Sequence, residues 1–390
     1  MSEAKRKVCI VTGTRAEWGL LSPVARLLSQ RPDVELQIVA TNMHLLERYG
    51  HTIDLIRAEG FAVSAEVPME ADSDSRADTA RATASCLEGM AGAFERLRPD
   101  IIVILGDRYE MLAVASAATI MRVPIVHLHG GEVSEGAIDD SIRHAITKLS
   151  SLHLTSADLH SRRVIQMGED PGTVFNIGAI GVENALALEP LPKEDLEKLL
   201  GIPLDRRSLV VTFHPATASE GSAASQFGAL LDALDSFPES SVVFTYPNND
   251  ADGAVVIDMI RSYTASRHGR TVARPSLGAV NYLSLLRYIG AAVGNSSSGI
   301  IEVPSMGIPT VNIGDRQKGR LASESVIDCP AEAPSIRQAI ATALLPATRR
   351  KAADTPNPYS RPGSAARAAE LIATFPLSRL ANKRFHLLIP

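Results

Sequence analysis

With 390 residues, 45% of them apolar, and 39 basic against 44 acidic side chains for a formal charge of −5, the chain has the composition of a folded protein of about two domains, not of a disordered one. Charges of both signs are mixed and no polybasic block occurs, which argues against nucleic acid or a membrane surface as partner. No apolar run approaches the roughly 20 residues of a bilayer span, MSEAKRKVCIVTG lacks a signal-peptide core, and Cys9, Cys86 and Cys329 form no CxxC pair; a reducing cytoplasm, without disulfides or structural zinc, is the expectation.

In chain order, the first half alternates short β-branched runs with longer amphipathic stretches. Strands are predicted over residues 8–12, 34–40, 62–67, 101–105, 124–128, 152–155 and 174–177, and helices over 20–29, 78–96, 110–121 and 140–149. The run IIVIL at 101–105 is apolar at every position, the pattern of a parallel strand covered by helices on both faces. A βαβα order of this kind predicts a doubly wound sheet. Around residues 188–205 a segment rich in proline and charge breaks the pattern, and a new series follows with strands over 209–213, 242–246, 271–273, 291–294 and 310–313 and a helix over 279–288. The Pro/Gly/Ser-rich stretch 353–365 precedes a last helical run, 366–374, expected to pack back on the first domain. The expected division is 1–185, 186–360 and a returning 361–390. Two Rossmann-like doubly wound domains facing a central cleft make an α/β protein of GT-B architecture.

Strand 8–12 runs into GTRAEWGLL, so Arg15 is expected at the carboxyl edge of the sheet just ahead of a helix, where free backbone N–H groups receive ligands. The segment is neither GxGxxG nor a Walker A loop, which weakens dinucleotide and P-loop readings; Arg15 is either a phosphate contact or a surface arginine after a tight turn. Strand 101–105 runs into GDRYE, placing Asp107 and Arg108 at the same edge, with helix N-capping by Asp107 as the plain alternative. The next strand ends in HLHGGEVSEGAIDDSIRHAITK. His127 is expected to be a satisfied core residue, whereas His129, Glu132, Glu135, Asp139 and Asp140 gather before a helix on which Asp139 and Arg143 share a face. A cationic arginine among those carboxylates opposes a dication and favours an anionic organic ligand.

In the second half His214 follows the strand at 209–213, Asn248 lies in YPNND after the next strand, and Arg316 lies in NIGDRQKGR. Ser296 and Ser297 precede the run 300–306, read as a helix with Glu302 in its first turn. A serine run at a helix start is an anion site or simply a cap. A diphosphate on the second domain and acids on the first together point to a sugar nucleotide.

At these residues the chain resembles the hydrolysing UDP-N-acetylglucosamine 2-epimerases, in particular the bacterial enzymes of sialic acid synthesis. GTRAEWGLL, LGDRYE, HLHGGE, IDDSIRHAITK, VFNIGAIGVENAL, VTFHP, GNSSSGIIEVPS and NIGDRQKGR carry the resemblance, in that order, over nearly the whole length. It implies that Arg15, Arg108, His214, Asn248, Ser296, Ser297, Glu302 and Arg316 hold UDP, and that Asp107, Asp139 and Arg143 match the acid–base and substrate residues. IDDSIRHAITK looks like the hydrolysing branch; the non-hydrolysing branch has a PEEANR-type segment there. Several relatives read HIEGGE where this chain reads HLHGGE, so His129 stands in place of a catalytic glutamate, and Glu132 is present in both versions. Which of the two moves the proton stays open at this point; Glu132 is expected to matter more, because His129 is read as lying on the strand.

The reaction the resemblance implies converts UDP-N-acetylglucosamine and water to N-acetylmannosamine and UDP, by anti elimination to 2-acetamidoglucal followed by hydration. It calls for no metal and no redox cofactor. A hydrolysing 2-epimerase of a UDP-2,4-diacetamido-trideoxyhexose, on the legionaminic acid route, is the near alternative, and a GT-B glycosyltransferase with an acceptor the more distant one. A UDP-sugar and further copies of the chain, as homodimer or homotetramer, are the expected partners.

Overall fold

The computed structural model describes residues 5–388 apart from 48–49, 70–74, 135–137, 216–221 and 248–252. The chain divides into two compact units, the first built from residues up to Val133, Ala137–Glu183 and the stretch from Arg361, the second mainly from Asn184–Ser360.

The first unit holds β1 (Arg6–Thr12), β2 (Val34–Thr41), β3 (Ala65–Val67), β4 (Ile101–Leu105), β5 (Ile125–Leu128), β6 (Leu152–Thr155) and β7 (Val174–Asn176), with α1 (Arg15–Ser29), α2 (Ile53–Ala58), α3 (Arg76–Leu97), α4 (Tyr109–Ile120), α5 (Ile138–Leu149) and α6 (Asp158–Gln166) between them. The strands pair in parallel in the order β3-β2-β1-β4-β5-β6-β7. Continuous apolar strands select this arrangement because successive side chains point to opposite faces and both faces are covered. Val8, Ile10, Ile101 and Val103 meet Leu21 and Val24 of α1 and Ile372 of the helix Ser364–Thr374 on one face. Cys9, Val11, Ile102 and Ile104 meet Met90 and Phe94 of α3, Met111 of α4 and Ile146 of α5 on the other. Each such side chain contributes roughly 1.5–3 kcal/mol on full burial.

In the second unit β8 (Leu209–Thr212), β9 (Val242–Thr245), β10 (Thr271–Arg274), β11 (Ala291–Gly294), β12 (Thr310–Ile313) and β13 (Val326–Cys329) are also parallel, in the order β10-β9-β8-β11-β12-β13. Strand β13 has no counterpart in the sequence expectations. It is an edge strand and partly exposed, so VIDC carries no continuous apolar run to announce it.

Helix α1 begins at Arg15, five residues ahead of its predicted start at 20. Thr14 and Glu17 form a reciprocal capping box: the Glu17 N–H donates to Thr14 Oγ1 at 3.2 Å and the Glu17 carboxylate accepts from the Thr14 N–H at 3.2 Å. Arg15 therefore opens a helix and does not precede one. At the other end of α5, Lys383 of the C-terminal tail donates to the carbonyls of Thr147, Lys148 and Ser150 at 3.2, 2.6 and 2.6 Å, satisfying helix-end acceptors with a cation.

In both sheets the strand order reverses once, between β1 and β4 and between β8 and β11. Loops leaving those strands diverge and open a crevice at the carboxyl edge. Gly13 and Thr14 follow β1, Gly106 to Arg108 follow β4, His214 lies just beyond β8, and Asn295 and Ser296 follow β11.

Several histidines are packed away from water. Burial depresses His44 to about 4, His127 to about 3 and His214 to about 4, and lowers His153 as well. The unfolded chain protonates these groups near pH 6.5, whereas the native protein resists until about pH 4, so stability is full above 6.5 and is lost as the pH falls through that window. Glu17, raised to about 8 by burial and by Glu110, opposes the trend with a single proton. The melting temperature is expected to drop by roughly 5 °C or more between pH 7 and pH 5. A calorimetric midpoint that stays level over that range would mean that the buried imidazoles are charged in the native state.

Candidate functional site

The first unit gathers its polar side chains around one buried cation. Arg143 on α5 is 1% exposed. Its guanidinium donates to Asp107 through Nε, at 3.1 Å, and through Nη2; Nη1 donates to the Glu132 carbonyl at 2.8 Å and to Asp140 Oδ1 at 3.1 Å. A guanidinium with three acceptors held by three different segments fixes the β4 loop, the β5 loop and α5 to one another. Asp107 consequently does not cap α4: Arg108 occupies the N-cap position, in extended conformation and without a side-chain cap bond, and the Asp107 carboxylate turns to Arg143. Arg108 is paired with Glu110 at 2.6 Å.

His127 is fully buried, its Nε2 donating to the Gly106 carbonyl at 2.7 Å, a tautomer assigned from the acceptor it faces. His129 does not lie on the strand. It stands one residue past β5 with φ +65°, the left-handed region, and its Nδ1 is 3.3 Å from Glu132 Oε1. Glu132 Oε1 also accepts from Ser156 Oγ at 2.9 Å. The His129 Nε2 is buried and meets no partner. Gly131 makes this turn possible: φ is +79°, and a Cβ there would stand 2.4 Å from the His160 carbonyl. Asp139 lies in the first turn of α5, partly exposed, one turn ahead of Arg143. Arg15 is exposed at the first position of α1.

The second unit is organised by Asn295, a residue the sequence reasoning passed over. Its Oδ1 accepts from the His214 N–H at 2.7 Å, its Nδ2 donates to the His214 carbonyl at 2.8 Å, and its own carbonyl receives Arg316 Nη1 at 3.0 Å and Gln317 Nε2 at 2.8 Å. His214 is kept neutral by burial first and by Arg316 second. The serine run hid this hub, although an amide side chain at the end of the strand preceding that run is the available signal. Ser296 caps a helix of five residues, Ser297–Ile301, without a side-chain cap bond. Glu302 is not in a first turn; it stands at the junction of that helix with the 3-10 turn Val303–Met306. So short a helix supplies no long-helix dipole, and the donors it leaves for an anion are individual groups. Asn248 lies outside the described residues. His214, Arg316 and Ser296 come together around Asn295 and β11, as Asp107, Arg143, His129 and Glu132 do around β4 and β5; Glu302 follows the short helix in the chain.

Chemically, the first cluster offers carboxylates and an imidazole for proton movement, and the second offers cations and neutral donors for an anion. Among the described residues no three His, Cys, Asp or Glu side chains are grouped to hold a metal ion, and no helix is long and apolar enough to cross a membrane.

A family model described as UDP-N-acetylglucosamine 2-epimerase matches residues 26–373. The chain is 41% identical over 325 residues to the GDP/UDP-N,N'-diacetylbacillosamine 2-epimerase (hydrolyzing) of Campylobacter jejuni, spanning 83% of this chain and 84% of that protein. It is 37% identical over 371 residues to the polysialic acid biosynthesis protein P7 of Escherichia coli, spanning 95% and 94%. The UDP-GlcNAc 2-epimerase of Neisseria meningitidis, solved with UDP-GlcNAc bound, superposes with a TM-score of 0.79 at 17% identity, covering 94% of this chain and 99% of that one. This last likeness shows a common fold, the α/β GT-B class.

Replacing Asn295 by Ala removes both bonds to the His214 backbone and leaves a buried N–H and C=O unpaired. The expected loss is about 2–4 kcal/mol of stability, read by chemical denaturation. A loss below about 0.5 kcal/mol would show that the backbone of residue 214 is held by other means.

Proposed function

Because the chain belongs to the UDP-N-acetylglucosamine 2-epimerase family and its close relatives are hydrolysing 2-epimerases, it is an enzyme of that type, and we propose UDP-N,N'-diacetylbacillosamine as its substrate, released as UDP and the free C2 epimer. The observation that carries this choice is the 41% identity to a Campylobacter jejuni enzyme named for that sugar. The Escherichia coli relative, aligned over 95% of this chain and named for polysialic acid synthesis, favours UDP-N-acetylglucosamine as the second reading.

The reaction asks for a base at the C2 proton, departure of UDP from C1, and addition of water across the resulting double bond. The C2 proton is weakly acidic, so leaving-group departure must dominate, and donors aimed at the diphosphate stabilise the charge that develops there. Arg15, Arg108, His214, Asn248, Ser296, Ser297, Glu302 and Arg316 are the proposed UDP contacts. Asp107 and Asp139 are the proposed acid–base carboxylates, with Arg143 orienting Asp107 through the bonds described above. One group removes the C2 proton and another returns a proton at the opposite face, which inverts the centre. For the third group the geometry supports His129 over Glu132, the reverse of the expectation from sequence. Glu132 Oε1 already takes Ser156 and faces His129 Nδ1, which directs the unpartnered Nε2 as the atom left to exchange a proton. Glu132 is then a positioning residue.

Turnover of both UDP-sugars, followed by NMR, tests the substrate. A kcat/KM at least about 10-fold higher for the diacetamido sugar is expected, since a site built to bond a substrate group discriminates strongly against the analogue lacking it; an inverted ratio selects UDP-N-acetylglucosamine, and no turnover of either overturns the reading. Incorporation of solvent deuterium at C2 tests the third group. His129→Asn is expected to lose about 10²-fold or more in kcat and Glu132→Gln about 10-fold; a His129→Asn enzyme as active as the unmodified one returns the role to Glu132.

A further inference from the structure

Beneath the turn that follows β1 lie two carboxylates with one cation. Glu17 on α1 is 6% exposed and Glu110 on α4 is fully buried. Glu17 Oε2 accepts from the N–H groups of Gly13, at 2.7 Å, and Thr14, at 3.2 Å. Glu110 Oε1 accepts from Arg108 Nε at 2.6 Å. The second oxygen of each, Glu17 Oε1 and Glu110 Oε2, is buried without a partner. Both side chains border Gly13, where a Cβ would stand 2.8 Å from Glu110 Oε1.

Other ionisable groups facing the pair do not supply a second positive charge. Cys86 on α3 feels Glu110, but burial raises the thiol to about 11, so it stays neutral. His44, in the turn after β2, reaches Thr12 Oγ1 at 3.1 Å, and burial lowers it to about 4. Tyr109 lies under the Arg108 guanidinium, 5.4 Å from its ring centre. One guanidinium compensates one carboxylate; a second bare carboxylate in the same dry pocket is too costly to keep.

We propose that Glu17 stands as a neutral carboxyl beside the Arg108–Glu110 ion pair, and that this arrangement positions Arg108 and the Gly13–Thr14 turn for the nucleotide. Glu17 and Glu110 are positioning residues; neither is placed against substrate. The part concerning the nucleotide rests on the UDP reading above.

Gln at position 17 reproduces a protonated carboxyl: it carries no charge, and its oxygen accepts from Gly13 and Thr14. UDP affinity by calorimetry from pH 7 to 9.5, and melting temperature from pH 5 to 9.5, are measured for the unmodified protein, Glu17→Gln and Glu17→Ala. The carboxyl is raised to about 8, so the unmodified protein is expected to lose affinity above that pH, about 10-fold by pH 9.5, as the two carboxylates come to repel. Glu17→Gln is expected to bind within about 3-fold of the unmodified protein at pH 7 and to keep that affinity at pH 9.5; Glu17→Ala is expected to be at least about 10-fold weaker throughout. The melting temperature of Glu17→Gln is expected to gain on that of the unmodified protein as the pH rises from 5 to 8 and to run parallel above it, because only the unfolded carboxyl ionises in that window. Gln behaving like Ala, or melting profiles of the Gln variant and the unmodified protein that run parallel from pH 5 to 8, overturns the neutral carboxyl. If the unmodified protein does not bind UDP at pH 7, the functional reading fails on its own and the melting profiles decide the proton.

Discussion

The reversal of strand order, once in each sheet, is the constraint on which the rest depends. Right-handed crossovers place successive helices on one face until the chain returns to the middle of the sheet and builds outward the other way. At that point neighbouring loops part, and their free N–H groups and side chains meet no covering backbone. In the first unit the turn after β1 leads into Arg15, the first residue of α1, and the loop after β4 carries Asp107 and Arg108; in the second, the loops after β8 and β11 carry His214, Asn295 and Ser296. Chemistry-bearing residues some 90 positions apart in sequence thereby share one edge, with no local signal linking them.

Buried charge is handled by matching. Arg143 removed from water without partners would cost several kcal/mol. Asp107, Asp140 and the Glu132 carbonyl offset that cost, and in doing so they set the orientation of Asp107. Glu17, Glu110 and Arg108 form the opposite case, two acids to one base, and a proton is the proposed remedy. The same local rule, that a buried charge needs a partner, gives a rigid ion cluster beside β5 and, in the proposal above, a neutral carboxyl beside β1.

Histidines follow the rule from the other side. Burial keeps His44, His127 and His214 neutral, and the first two work as hydrogen-bonding groups. His127 stitches β5 to the Gly106 carbonyl of the β4 loop, which supports the Asp107 turn. His214 stays uncharged beside Arg316, so the positive charge of that loop sits on the guanidinium. His153, lowered by burial as well, faces Glu169, itself bound by Lys148 and Lys383, in a network that secures the far end of α5.

The sequence by itself determined the parallel α/β class, most strand positions and the loops that carry the candidate residues, because continuous apolar runs and the residues that follow them are local properties. IIVIL at β4 and AAVG at β11 stand where they were predicted to stand. It could not announce β13, whose partial exposure leaves no apolar run, nor the early start of α1, where capping by Thr14 and Glu17 extends the helix through residues that read as loop. Side-chain partnership was decided only by the tertiary structure. Asp107 reads as a helix cap until Arg143, 36 residues onward, claims it; His129 reads as a strand residue until a left-handed backbone turns its ring toward Glu132; Asn295 reads as a preface to serines until it clamps His214, 81 residues away. Hydrogen bonding and charge compensation act over a few ångströms of space, and sequence separation carries no information about which groups folding brings within that reach.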